Sequence, residues 1–277
     1  MDYEYGDWLP SVMALTKEAG RGILEYCGDS VTRARGLSYK PDDTMLTEAD
    51  LCAHNIIFSG LQELSPTIPV LSEEGNIDPY TFRKSWEWYW LIDPLDGTRG
   101  FVEKGTEFTV NIALIHHHRP VLGVVYVPVG DVAYCALHKH GAFREAAGER
   151  TELHTAPLDW DALHVLLGSY VPDHTLPDAL AALPGSKLSR LNSSIKFGWI
   201  AEGRADMYLR QGGTSEWDTA AAQCVLEEAG GAVLDWTGKP LRYNTQDSVS
   251  NPPFVAVGDL SQAEAVLAFI QKHQGES

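Results

Sequence analysis

Cysteine is scarce and unpatterned in this chain. Cys27, Cys52, Cys135 and Cys224 are scattered among apolar neighbours, and no C-x-x-C occurs. That spacing predicts buried, reduced thiols of a cytosolic protein rather than a disulfide framework. Long apolar runs are missing too. No window approaches the length of a membrane span, and Met1-Asp2-Tyr3-Glu4-Tyr5 carries neither a basic stretch nor an apolar one of signal type. The expectation is a soluble, cytoplasmic protein. Basic residues are few, 21 Lys and Arg against 38 Asp and Glu, for a formal charge of −17. Such a surface argues against a nucleic-acid polymer or an anionic membrane as partner. A small phosphorylated substrate stays open, because bound cations and a few placed Lys or Arg side chains can reverse the field locally. There is no internal repeat and no low-complexity segment.

What is present is apolar material in quantity: 277 residues, 44% of them hydrophobic, enough for one large domain or two packed halves. Helical spacing covers Asp7 to Cys27 and again Thr47 to about Leu64, where Thr47 with Asp50 makes an [ST]-x-x-[DE] capping box. Thr32 to Pro41 reads as a loop or short strand, and Ile68 to Leu71 as a strand running into Ser72-Glu73-Glu74-Gly75. Tyr89 to Ile92, Phe108 to Ile115, Val121 to Val127 and Val132 to Ala136 read as strands between turns. His116-His117-His118-Arg119 falls on one of those turns; three adjacent side chains cannot all face one ion, so it reads as a solvated tip.

Gly148 to Asp161 is polar and contains proline, which places a boundary there and divides the chain into 1–153 and 154–277. In the second part, strands are predicted at Val165–Ser169, Ala205–Leu209, Ala232–Trp236 and Phe254–Val257. Helices are predicted at Asp173–Leu183, Ser193–Glu202, Asp218–Ala229 and after a Ser261 cap. The fold class is α/β, or α+β, in stacked layers.

The chemistry centres on Trp90-Leu91-Ile92-Asp93-Pro94-Leu95-Asp96-Gly97-Thr98. A buried strand delivers Asp93 and Asp96 into a turn held by Pro94 and Gly97. Hard carboxylate oxygens suit a divalent cation, and the Gly97 and Thr98 amides with the Thr98 hydroxyl suit an anion. The same residues could instead cap a polar β-turn. Glu73-Glu74, Asp50 and Asp218 are further carboxylates at element ends. Trp217-Asp218-Thr219-Ala220-Ala221 sets small residues after the acid, which lets that helix approach a neighbour closely. Converging carboxylates with few cations among them would repel one another unless a metal were bound.

Three of these segments in this order, Ser72-Glu73-Glu74, then Trp90 to Thr98, then Trp217 to Ala221 with Glu228-Ala229-Gly230-Gly231, resemble the Mg²⁺-dependent, lithium-sensitive phosphatases of the inositol monophosphatase superfamily. The resemblance runs from about Lys40 to Val257 and implies a layered α-β-α-β-α sandwich holding two or three Mg²⁺ ions. It implies that Glu73, Asp93, the Leu95 carbonyl, Asp96 and Asp218 ligate metal, with Asp50 helping to hold a further ion. Gly97 and Thr98 would bind the scissile phosphate. Glu73 with Thr98, or Asp50 with Thr47, would orient a metal-bound water for in-line attack.

Within the superfamily, Lys40-Pro41-Asp42-Asp43-Thr44-Met45-Leu46-Thr47-Glu48-Ala49-Asp50 and Gly105 to Ile115 are similar to the 3′(2′),5′-bisphosphate nucleotidases. So are Ser193 to Phe197 and Ala205 to Arg210. This implies a phosphorylated nucleotide as substrate, a role in sulfur assimilation, and Ser193, Lys196 and Arg210 on the second phosphate, with a monomer or homodimer expected. Met45 for Pro, Thr44 for Ser, Arg99 for Lys and Asn192 for Gly depart from the pattern without touching a presumed ligand. Inositol monophosphate or a sugar bisphosphate is the alternative substrate, and a non-catalytic nucleotide- or metal-binding regulator the alternative role. The spacing of Asp93 and Asp96, three residues apart with Pro94 between, does not suit the D-x-D-G-T loop of haloacid-dehalogenase-like phosphatases.

Overall fold

Strands whose side chains are apolar on both faces need cover on both faces, and this chain supplies it in five layers. The computed structural model describes residues 5–40, 45–103, 105–170 and 185–273. Its helices are α1 (Leu9–Leu24), α2 (Ser30–Arg33), α3 (Glu48–Leu64), α4 (Tyr80–Arg83), α5 (Thr98–Glu103), α6 (Ile195–Ala201), α7 (Glu216–Glu228) and α8 (Ala263–His273). A seven-stranded sheet runs in the order β3 (Val70–Ser72), β4 (Trp88–Asp96), β5 (Thr109–His116), β6 (Arg119–Val127), β7 (Val132–Leu137), β8 (Ala142–Ala146) and β9 (Glu149–Glu152). It is antiparallel except for the β3–β4 pair. A five-stranded mixed sheet has the order β11 (Lys187–Leu191), β10 (His164–Gly168), β12 (Met207–Arg210), β14 (Phe254–Val257), β13 (Ala232–Asp235). A short hairpin pairs β1 (Ser38–Tyr39) with β2 (Met45–Leu46).

Period-2 alternation sorts the core. On β5, Val110, Ile112 and Leu114 pack toward α1 and α3, while Ala113 and Ile115 face the layer of α6 and α7 between the sheets. On β14, Phe254 and Ala256 face that same layer, and Val255 and Val257 face α8 outside. The order is therefore α1/α3, seven strands, α6/α7, five strands, α8. The middle layer is tight: a Cβ on Gly123 of β6 would collide with the Ala221 carbonyl and stand 2.8 Å from the Cys224 Cβ of α7.

Several expectations change. The strand read as Tyr89–Ile92 runs on to Asp96, so Asp93 and Asp96 lie within β4 rather than in a turn after it. Strand β8 and the edge strand β9 were not foreseen, and β9 lies inside the Gly148–Asp161 stretch read as a boundary between halves. Thr32 falls on α2, a single helical turn capped by Asp29, which the loop reading of Thr32–Pro41 did not include. The helix read as opening at Ser193 begins at Ile195. Asp218 does not cap α7; Ser215 does, with Asp218 in the third helical position. Asp259, not Ser261, closes the turn before α8, its carboxylate accepting from the Ser261 amide. Cys135 and Cys224 are buried, but Cys27 and Cys52 are only half-buried; all four are free. The Asp173–Leu183 helix and Pro41 to Thr44 lie outside the described residues. Among the described residues, no helix is long and apolar enough to cross a membrane.

Candidate active site

The carboxylates gather where β4 departs from regular pairing. Asp93 lies opposite Asn111 and Asp96 opposite Thr109, so three steps on β4 face two on β5. That extra residue is a bulge, which re-aims side chains that strict alternation would send to opposite faces. Asp93 Oδ1 accepts from the Leu95 amide at 3.1 Å. Its other oxygen is buried with no hydrogen-bond partner. Asp96 Oδ2 accepts from the Ser194 amide (2.6 Å) and hydroxyl (2.8 Å), with Thr109 Oγ1 at 3.2 Å and Asn111 Nδ2 at 3.3 Å.

The chain leaving β3 brings Glu73 alongside, its amide bonded to the Ile92 carbonyl. The first turn of α7 brings Asp218, whose Oδ2 accepts from the Ser215 amide at 2.8 Å in a capping box. Carboxylate oxygens of Glu73, Asp93 and Asp218 all lie within 4.8 Å of one another. Burial first, then repulsion from Glu73, Asp96 and Asp218, pushes Asp93 well above the usual carboxylate range. Asp218 rises likewise, through burial and then the charges of Asp96 and Glu73. Lys40 answers part of this charge: its Nζ lies 2.8 Å from both Glu73 Oε1 and Glu74 Oε1. Though desolvated by burial, that ammonium is held above its ordinary value by the two glutamates, while burial lifts Glu74 to about 7. A buried carboxylate oxygen without a donor, among hard oxygen ligands that repel one another, fits a divalent cation.

Asp50, in the third position of α3, accepts from the Thr47 amide (2.8 Å) and hydroxyl (2.5 Å). Its Oδ1 lies 3.0 Å from Thr98 Oγ1, which also stands 3.1 Å from the Leu95 carbonyl. Thr47 and Thr98 thus converge on Asp50, the one Thr98 hydroxyl proton being divided between Asp50 and the Leu95 carbonyl. Burial raises Asp50 to about 6, against the bonds from Thr47 and Thr98. Of the two alternatives for orienting water, the geometry joins Thr47 to Asp50 directly; Thr98 bonds Asp50, and Glu73 bonds Lys40.

Gly97 turns at φ +91°, where a Cβ would stand 3.1 Å from the Glu107 carbonyl and 3.3 Å from the Ser193 Cβ, so a side chain fits neither the backbone nor the space. Beyond it opens a cleft of about 190 Å³, lined among others by Asp96, Gly97, Ser193, Lys196, Arg210 and Asp218. Lys196 is buried, its Nζ bonded to the Leu191 and Ser193 carbonyls and 4.9 Å from the Tyr208 ring centroid. Burial depresses its ammonium to about 8. Arg210 is held by the carbonyls of Gly212 (2.6 Å) and Gly213 (2.9 Å).

The sequence reading missed Ser194. That hydroxyl lies 2.8 Å from Asp96 Oδ2 and 2.7 Å from the Asp218 carbonyl, and so ties β4 to α7. Asn111 was missed as well, although a lone amide in the apolar run Val110 to Ile115 is a signal in itself. It bonds Asp96 and Ser194.

Comparison with known proteins bears on the family and the fold. The model of the inositol monophosphatase family matches residues 7–273. The chain is 42% identical over 249 residues to the Escherichia coli K12 protein named 3′(2′),5′-bisphosphate nucleotidase CysQ, covering 89% of this chain and 98% of that one. The Buchnera aphidicola protein of the same name is 40% identical over 244 residues, or 87% and 89% of the two chains. Among solved structures, CysQ from Bacteroides thetaiotaomicron superposes with a TM-score of 0.78 at 32% identity over 92% of this chain and 98% of its own. An IMPase from Thermotoga maritima shares the fold with a TM-score of 0.81 at 23% identity, over 98% and 99% of the two chains. This chain belongs to the inositol monophosphatase family.

Proposed function

We propose that this protein hydrolyses the 3′-phosphate of adenosine 3′,5′-bisphosphate, releasing AMP and phosphate, with Mg²⁺ as its metal. The observation that carries the reading is one cleft with carboxylates and cations side by side: Asp96 and Asp218 with the buried Lys196 and the half-buried Arg210. A monophosphate needs only the metal end. A bisphosphate needs cationic donors at a distance from it, and such residues are rare in a chain with 21 basic residues. The name carried by the 42% identical Escherichia coli relative favours the same substrate.

Glu73, Asp93, Asp96, Asp218 and the Leu95 carbonyl would hold two or three ions, with Asp50 contributing to a further one. Bound Mg²⁺ supplies charge neutralisation at the phosphoryl oxygens and a lowered pKa for water. The protein's share is positional. Gly97 and Thr98 receive the scissile phosphate, and Asp50 with Thr47 and Thr98 forms a hydrogen-bonded group able to orient a water. Ser193, Lys196 and Arg210 take the second phosphate. The division at 153/154 then has a functional sense: Glu73, Asp93 and Asp96 come from the first part, and Asp218, Lys196 and Arg210 from the second. The buried free thiols of Cys135 and Cys224 suit a reducing, cytoplasmic setting.

The test is phosphate release from adenosine 3′,5′-bisphosphate, inositol 1-phosphate and fructose 1,6-bisphosphate, with and without Mg²⁺. The nucleotide is expected to give the highest kcat/KM, with no turnover in EDTA. Inositol 1-phosphate as the better substrate would refute the substrate assignment, and activity in EDTA the metal. Lys196→Ala and Arg210→Ala should harm bisphosphate turnover far more than monophosphate turnover; equal losses would remove their assigned role.

A further inference from the structure

We propose that Glu87, His116 and His117 form a second metal site, separate from the carboxylate cleft and suited to Zn²⁺ or another imidazole-preferring divalent ion. Three adjacent histidines at a hairpin tip read as a solvated turn, and one of them does leave the group: His118 turns aside, its Nδ1 2.8 Å from the Tyr243 carbonyl. The other two converge. The turn passes through His117 (φ 47°) and His118 (φ 65°), two consecutive left-handed residues. That geometry brings the rings of His116 and His117 to 4.1 Å between centroids. Each Nε2 then lies 3.3 Å from the same oxygen, Glu87 Oε1, and the three ligand atoms all fall within 4.8 Å of one another.

That spacing is informative. Between His116 and Glu87 it is also a long hydrogen bond, which holds the pair together without a metal. Ligands about 2.0–2.1 Å from a tetrahedral Zn²⁺ stand roughly 3.3 Å apart. The His116 ring and the backbones of the other two residues are also held in place without a metal. The His116 ring lies on the Trp88 indole, centroids 3.8 Å apart and planes within 12°. The His117 amide donates to the Glu87 carbonyl at 3.0 Å, which fixes the two backbones to each other. Two imidazoles and one carboxylate select Zn²⁺, Ni²⁺ or Cu²⁺ over Mg²⁺, which takes oxygen ligands. Three protein ligands leave the fourth position for water or a small ligand. The site is open to solvent, the side chains of His117 and Glu87 being 69% and 54% exposed. Trp88 pairs with His116 at the far end of β4 from Asp93, roughly 17 Å along the strand.

The experiment is calorimetric titration of ZnCl₂ into the protein in saturating Mg²⁺, with His117→Ala and Glu87→Gln in parallel. The wild type should take up one Zn²⁺ that each variant binds at least about tenfold more weakly. Mg²⁺-dependent phosphatase activity should be unchanged in both variants, which separates this site from the cleft. With Co²⁺ in place of Zn²⁺, the wild type should show the intense visible absorption of a tetrahedral ion and the variants should not. Equal Zn²⁺ affinity in all three proteins, or no uptake by the wild type under Mg²⁺, overturns the proposal.

Discussion

Asp93→Asn removes one charge from the cluster while keeping its shape, and the structure fixes the sign of each consequence. In metal-free buffer the wild type holds Glu73, Asp93 and Asp218 within 4.8 Å, with Asp93 raised by burial and by its neighbours. A carboxyl whose folded pKa exceeds its unfolded one binds its proton more tightly when folded. Stability therefore falls as pH rises from the unfolded value toward the folded one. Near neutrality this opposes folding. In Asp93→Asn the opposition is gone, the side-chain oxygen can still accept from the Leu95 amide, and the new amide can donate to a neighbouring carboxylate. The metal-free variant should melt no lower than the wild type. Mg²⁺ reverses the order. At one hundred times its Kd, a single ion adds about 2.7 kcal/mol. Unfolding entropy near 2.1 cal/mol/K per residue over 277 residues turns that into a rise of roughly 5 °C in Tm. The variant, lacking one of the proposed ligands, should gain much less and lose activity. Differential scanning calorimetry in EDTA and in Mg²⁺ decides. A variant that melts below the wild type in EDTA yet keeps the full Mg²⁺ increment would refute the reasoning.

Gly123→Ala should cost about 1–3 kcal/mol, because the new methyl meets the Ala221 carbonyl and the Cys224 Cβ across the β6–α7 contact; an unchanged urea midpoint would contradict that packing. Burial leaves the Lys196 ammonium at about 8, so its charge fades above that pH. The KM for the bisphosphate should then rise while that for a monophosphate stays flat, and Lys196→Arg should remove the difference; parallel profiles would reject it. Burial also lifts Glu216 to about 7, against the bonds from the Asn244 amide, so its contribution to stability declines between about pH 4.5 and 7. Glu216→Gln should therefore gain on the wild type across that window in denaturant titrations at pH 5 and 7.5, and a constant gap would exclude the effect.

Much of the fold can be read from the chain because its central strands are apolar throughout. Val110 to Ile115 and Val121 to Val127 read as strands whichever face is considered. Strands β8 and β9 are harder to see. Glu149-Arg150-Thr151-Glu152 forms the edge of the sheet, beside Ala142-Phe143-Arg144-Glu145-Ala146, and there charge protects an open ladder and imitates a loop. Pro94 misleads for a different reason. Proline argues against a strand interior, but a bulge leaves one residue unpaired, and there a missing N–H does no harm. The carboxylates themselves were visible by type and position; their convergence, which depends on how α7 packs on the sheet, was not. Ser193 and Ser194 show the finest limit. Ser193 sits at φ 53° with its hydroxyl buried and unbonded, while Ser194 contacts Asp96 and Asp218. Nothing in two neighbouring serines says which will bend backward.

The bulge in β4 also sets how this chain can change by insertion or deletion. Deleting Pro94 would leave two steps on β4 against the two from Thr109 to Asn111, a regular register. The acids would then stand two apart, on the same face by the pleat alone. Such a protein would have the better sheet. It would also shift the Leu95 carbonyl from beside the Thr98 hydroxyl and pull on the left-handed turn at Gly97. Regularity and activity therefore compete at a single residue. Length variation should be tolerated in the surface turns and refused at this bulge.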